Sequence, residues 1–127
     1  MKKLLLIFLI IFSSQSFAEW EFVTSSDNGS DTYFIDIDTI RENDGYIYFW
    51  QLVSFKKPEI AGDLILKSYK VYRQADCNLF RLKDIQTFFY SEEFGKGNLS
   101  YKMDDKGSWL YPPPSSTSNT ILKRVCE

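Results

Sequence analysis

The sequence predicts an α+β domain: a small antiparallel β-sheet of about six strands, with one C-terminal α-helix packed on one face and tied to it by a disulfide. Three observations predict it. Short runs of alternating apolar, aromatic and polar residues recur between clusters of Gly, Asn, Asp and Ser, which is the pattern of strands and turns. The apolar period becomes helical only after Pro112–Pro114. The chain holds two cysteines, Cys77 in the strand-rich part and Cys126 in the helical tail.

Ahead of these elements lies an export signal. Lys2 and Lys3 precede an unbroken apolar run, Leu4 to Phe12, and Ser16-Phe17-Ala18 offers small residues at the positions a signal peptidase reads. Residues 1–18 are therefore expected to be a signal peptide, cut before Glu19, with residues 19–127 as one domain. The run is too short for the roughly 20 residues that cross a bilayer, so the mature chain is expected to carry no transmembrane segment. It is expected in the periplasm, secreted or at the cell surface. No cysteine follows the cleavage site, so no lipid anchor is expected there.

The elements follow in order. Trp20 to Val23 reads as a first strand, Ser25 to Asp31 as a turn, and Thr32 to Ile37 as a second strand in a hairpin with the first. Asp38-Thr39-Ile40 reads as a short helical turn and Asn43-Asp44-Gly45 as another turn. Tyr46 to Phe55 is the strongest strand: Tyr46, Tyr48, Trp50 and Leu52 point one way, and Ile47, Phe49 and Val53 the other. Apolar residues on both faces suit a central strand. Lys56 to Asp63, with Pro58 and Gly62, reads as a loop.

Leu64 to Asp76 and Leu79 to Tyr90 read as strands four and five. With Cys77-Asn78 as a two-residue turn, Gln74 faces Arg81, Tyr72 faces Lys83 and Lys70 faces Ile85. One face is then polar, and the other carries Tyr69, Val71, Ala75, Phe80, Leu82 and Phe88. Cys77 has the parity of the apolar face. Leu99 to Met103 reads as a sixth strand. Past the prolines, which no helix can run through, Ser115 or Ser116 can cap a helix. Its stripe is Ile121, Leu122, Val125 and Cys126, and Lys123 and Arg124 suit its C-terminal dipole. Packed on the apolar face, that helix brings Cys126 towards Cys77. An even cysteine count in an exported chain reads as a disulfide.

Composition narrows the function. Of 15 Lys and Arg, two fall in the signal, along with none of the 17 Asp and Glu, so the mature chain has 13 basic and 17 acidic residues. A mildly acidic domain is a poor nucleic-acid binder, and no nucleic-acid partner is expected. The chain contains no histidine, which removes histidine-based triads, general bases and metal sites. Gly-rich phosphate loops are also missing. Asp36 with Asp38, Glu92 with Glu93, and Asp104 with Asp105 read as solvated turn acids rather than glycosidase carboxylates. The Asp27–Asp31 run lacks a full calcium-loop pattern. No catalytic residue, metal or cofactor is expected. The short LLLIFLIIF core of the signal reads as bacterial, so the sequons at Asn28 and Asn98 are expected to be incidental. The one exposed constellation of interest is Lys70, Tyr72, Arg81 and Lys83, whose cations and aromatic could hold an acidic protein segment or a sulfated glycan.

Tyr33-Phe34-Ile35-Asp36, Thr39-Ile40, Gly45 and Trp50 resemble the opening of the surface-adhesin E family. Ser68, Cys77, Gly95, Gly97, Trp109, the Pro114-Ser115 step and a C-terminal helix ending in Cys126 continue the resemblance across nearly the whole mature chain. The resemblance implies a sheet with a disulfide-tied C-terminal helix, and a surface protein that binds host plasma or matrix proteins. It also implies that a homodimer can form. The expectation is therefore an exported, non-enzymatic binding protein whose partner is a host extracellular protein or an envelope protein. The alternative is a periplasmic structural or assembly-accessory domain without a host ligand.

Overall fold

The computed structural model describes residues 20–105 and 107–127; the expected signal peptide lies outside them. Among the described residues seven strands form one antiparallel sheet: β1 (Trp20–Ser25), β2 (Asp31–Asp36), β3 (Arg41–Asn43), β4 (Tyr46–Ala61), β5 (Leu64–Asp76), β6 (Arg81–Tyr90) and β7 (Leu99–Asp104). The order is β1-β2-β4-β5-β6-β7, with β3 also pairing β4. The helix α1 (Thr117–Val125) follows at the C-terminus. The fold class stands as expected, and the short β3 is the strand the sequence reading lacked. Its residues Arg41, Glu42 and Asn43 are all exposed, so no alternating apolar signal marks it.

The helix begins where the prolines end. The Ser116 hydroxyl accepts the N–H of Asn119 at 3.1 Å, satisfying one of the donors a helix N-terminus leaves orphaned. Ile121, Leu122 and Val125 then bury against Ile35, Phe49, Ala75 and Leu82. Each such side chain contributes about 1.5–3 kcal/mol by leaving water. At the far end Cys126 is bonded to Cys77, with 5.7 Å between their Cα atoms. The side that α1 covers is called the helix face below, and the other the open face.

Three expectations about the strands are corrected. First, Lys56–Asp63 is not a loop. β4 continues to Ala61, and the turn is only Gly62-Asp63, with Gly62 at φ 62°. Regular pairing is interrupted between Ser54 and Glu59 and resumes at Glu59↔Leu66. Pro58, which cannot donate to a ladder, sits in that interruption, where no N–H is required. The β4–β5 hairpin thus extends beyond its neighbours as an arm.

Second, the β5–β6 turn is four residues, Cys77 to Phe80, and not Cys77-Asn78. The pairs are Asp76↔Arg81 and Gln74↔Lys83. Asp76 stabilises the longer turn by accepting the N–H groups of Asn78 and Leu79 at 3.1 and 3.2 Å. The error in register is two residues, so Arg81 and Lys83 keep their expected face.

Third, β6 carries a bulge. Arg73 pairs with Asp84 but Tyr72 pairs with Gln86, leaving Ile85 as the extra residue. A bulge reverses the side-chain parity beyond it. Phe88, expected on the apolar helix face, therefore lies on the open face opposite Lys70.

The helix face is not wholly apolar. Arg73, buried there, donates from Nε to Asp84 Oδ1 and from Nη1 to Gln51 Oε1, both at 2.7 Å. Next along it, Phe55, Tyr69, Phe89 and Tyr101 form a row of rings with successive centroids 5.5–6.3 Å apart. Burial pushes the Tyr69 phenol up to about 12, so it stays neutral at any physiological pH.

Candidate functional site: the open aromatic face

The open face is built on alternate residues of β4, β5 and β6. Trp50 and Tyr72 are direct cross-strand partners, and their rings lie 4.9 Å apart. Tyr48 extends this row on one side, 6.1 Å from Tyr72, and Phe88 on the other, 5.9 Å from Trp50. Such pairs add about 0.5–1.5 kcal/mol beyond area burial. The row exists across three strands because the Ile85 bulge delivers Phe88 to this side.

Cations sit on these rings. Arg41 of β3 donates to the Tyr72 hydroxyl from Nε (3.2 Å) and Nη2 (2.8 Å), and its guanidinium lies 5.8 Å from the Tyr48 centroid. Lys102 Nζ is 5.8 Å from the Phe88 ring. Trp109 holds two: Arg81 at 4.0 Å and Lys83 at 4.3 Å. Trp109 reaches this position because Leu110 exchanges backbone hydrogen bonds with Leu82 at 2.7 and 2.9 Å. Gly107 helps as well, since a Cβ there would collide with the Lys83 side chain.

All four sequence-predicted residues, Lys70, Tyr72, Arg81 and Lys83, occupy this face, but not as one patch. Lys70 and the Arg81 partner Asp76 are six residues apart on β5, about 20 Å at ~3.3 Å per residue. Arg81 is already engaged: Nε meets Asp76 Oδ2 at 2.9 Å and Nη1 donates to the Tyr111 hydroxyl at 3.3 Å. Lys70 and Lys83 have no ion pair among the described residues. Sequence reading missed Trp50, Phe88, Trp109 and Arg41 as members of the face. Trp50 was legible by parity with Tyr48; Phe88 was hidden by the bulge.

Around Lys70 the face is concave. A depression of about 350 Å³ is lined by Trp20, Asp36, Thr39, Trp50, Lys70, Phe88 and Tyr90. Lys70 Nζ lies 5.0 Å from the Tyr90 ring and 5.9 Å from that of Trp20. Burial raises the Tyr90 phenol above its ordinary 10.0. Behind Lys70 packs the 3-10 turn Glu93–Gly95, with Gly95 against the Lys70 side chain. Two buried serines hold it down: Ser68 donates to Glu92 O at 2.6 Å and accepts the Gly95 N–H at 2.8 Å, while Ser54 accepts the Phe94 N–H at 3.2 Å.

The carboxylate pairs noted in the sequence are structural where hydrogen bonds define them. Asp36 Oδ1 accepts the N–H of Asp38 as the cap of the Ile37–Thr39 turn. Asn28 Oδ1 accepts the N–H of Ser30, making the Asp27–Asp31 run a side-chain-closed turn. Among the described residues no acidic or cysteine cluster has metal-site geometry, and no helix is long and apolar enough to cross a membrane. What the open face offers is rings, fixed cations and one hollow, which is equipment for binding.

The same fold occurs in solved structures. Haemophilus influenzae protein E in its second crystal form superposes with a TM-score of 0.66 at 21% identity, covering 83% of this chain and 86% of that one. Another structure of Haemophilus influenzae protein E gives 0.64 at 21% identity, with 83% of each chain covered. Protein E from non-typeable Haemophilus influenzae gives 0.64 at 20% identity, covering 87% of this chain and 78% of that one. No curated protein sequence matches. A family model for surface-adhesin protein E matches residues 20–127, from the first strand to the last residue, so the chain belongs to the surface-adhesin protein E family.

Proposed function

We propose that this chain is an exported, non-enzymatic adhesin whose open face binds acidic segments of a host plasma or matrix protein. The observation that carries the reading is Lys83, an ammonium held on the Trp109 ring with no ion pair among the described residues. A cation fixed over an aromatic is pre-organised for an anionic partner, and little side-chain entropy remains to be lost on binding. Family membership supports adhesion as the role, and Arg41 and Lys102 extend the cationic character across the sheet.

Binding of the exported protein to immobilised plasma and matrix proteins at rising salt tests the proposal. It predicts affinity that falls with salt, as exposed charge pairs require, and a further loss in Lys83→Glu. Lys123→Glu, on the exposed side of α1, serves as the control and should bind normally. Equal binding by both variants would remove the open face from the interaction. Protease-accessible protein on intact cells is expected; release only by osmotic shock would favour a periplasmic role instead.

A further inference from the structure

We infer that the hollow around Lys70 is a subsite for a pyranose bearing a single carboxylate, such as a uronic or sialic acid unit of a glycan. The inference is separate from the protein-binding reading, since neither Lys83 nor Trp109 lines the hollow.

Four properties define what fits. The volume, about 350 Å³, is at the lower end of small-ligand pockets, enough for a sugar ring and too small for a folded segment. The walls are largely aromatic, offering flat surfaces to the C–H face of a pyranose. Lys70 is a half-buried ammonium with rings beside it and no carboxylate within ion-pair distance among the described residues. A charge so placed has lost part of its hydration without gaining a counter-ion, which favours a ligand that brings one anion.

The fourth property is the opposite end of the hollow. Asp36 is only 3% exposed, and its Oδ1 is committed to the Asp38 N–H. The Asp36 carboxylate still lines the hollow, where it can accept from a ligand hydroxyl. Thr39, whose hydroxyl donates to Asp36 O at 3.4 Å, lines the same wall. A second anion would be repelled by Asp36, so a bis-anionic or highly sulfated group is disfavoured. One carboxylate at Lys70, hydroxyl donors at Asp36 and an apolar ring face between them describe an acidic monosaccharide.

Trp20 and Trp50 make the hollow its own reporter. Tryptophan fluorescence of the mature protein is titrated with sodium glucuronate, N-acetylneuraminate, glucose and sodium acetate. At least one sugar acid should bind saturably, with a Kd on the order of millimolar for so small a ligand. Glucose, which lacks the anion, and acetate, which lacks the ring, should each be weaker by about tenfold or more. Whichever acid binds distinguishes a uronate-bearing source from a sialylated one. Lys70→Ala should reduce affinity by about tenfold, and Lys83→Ala should leave it unchanged. Circular dichroism and urea unfolding of Lys70→Ala establish that it folds. No saturable binding by either acid, glucose or acetate binding as tightly, or an undiminished Lys70→Ala would each overturn the inference.

Discussion

The backbone of Gly95 lies directly against the Lys70 side chain: a Cβ at residue 95 would come within 2.5 Å of Lys70 Cε. Gly95 also has φ +68°, a left-handed conformation that costs an L-residue about 1 kcal/mol. Gly95→Ala therefore combines strain with collision, but the atom struck is near the end of a flexible side chain and can move. Gly62, at φ +62° with nothing within 4 Å, carries the strain alone. Both alanine variants should lose about 1 kcal/mol in urea unfolding, while only Gly95→Ala should displace Lys70 and change tryptophan emission. Identical emission spectra in the two variants would mean that Lys70 does not depend on Gly95.

Arg73 links Gln51 and Asp84 inside the helix face. Gln51 is 2% exposed and cannot rehydrate if the guanidinium is removed. Arg73→Met should destabilise by on the order of 3 kcal/mol, because an orphaned buried group costs more than the pair contributes. Replacing all three together, Gln51→Leu, Arg73→Met and Asp84→Leu, should recover much of that loss. Chemical denaturation of the single and triple variants checks both statements, and an Arg73→Met protein as stable as the parent would remove the network from the stability of the fold.

The Asp76 carboxyl stands below its ordinary 3.8. Burial pushes its pKa up, but the Leu79 N–H, the Arg81 guanidinium and the Asn78 N–H together more than reverse this by favouring the charged form. A depressed folded-state pKa gives stability that is complete above the unfolded value and is lost as pH falls through the folded one. The urea midpoint should therefore decline on acidification below about pH 4. Asp76→Asn should start lower at neutral pH and show a shallower acid limb. Parallel acid limbs would assign the decline to other carboxylates.

Much of this fold is legible because side-chain parity survives errors of two. The β5–β6 turn is twice as long as the sequence suggested, yet Cys77, Ala75 and Leu82 stay on the helix side and Cys126 reaches Cys77. Parity fails where an odd residue enters. The Ile85 bulge has no side-chain signature, and it alone moved Phe88 from the expected core to the open face. Pro58 misled for a different reason: proline forbids a ladder donor, not a strand, and the interrupted register removes the need for one. The site was half legible. Cation and aromatic types at Lys70, Tyr72, Arg81 and Lys83 marked the open face, but Trp109 arrives from a segment with no strand pattern, held by a single bridge to Leu82.

The Cys77–Cys126 bond closes a loop of 49 residues, and it does so at the end of the helix furthest from the Ser116 cap. Cross-linking over that length removes unfolded-chain entropy worth about 4 kcal/mol. A nine-residue helix is marginal in isolation, so without the bond α1 is held mainly by the burial of Ile121, Leu122 and Val125 and by the exposed Arg124–Glu21 pair. Cys77→Ser with Cys126→Ser should lower stability by a substantial part of that ~4 kcal/mol, and amide exchange in α1 should quicken before that in β4 and β5. The open face lies across the sheet from α1. Acidic-ligand binding by protein that remains folded should therefore persist after the bond is removed. Uniform exchange across sheet and helix would show that α1 does not open separately, and lost binding in folded protein would show that the two faces are coupled.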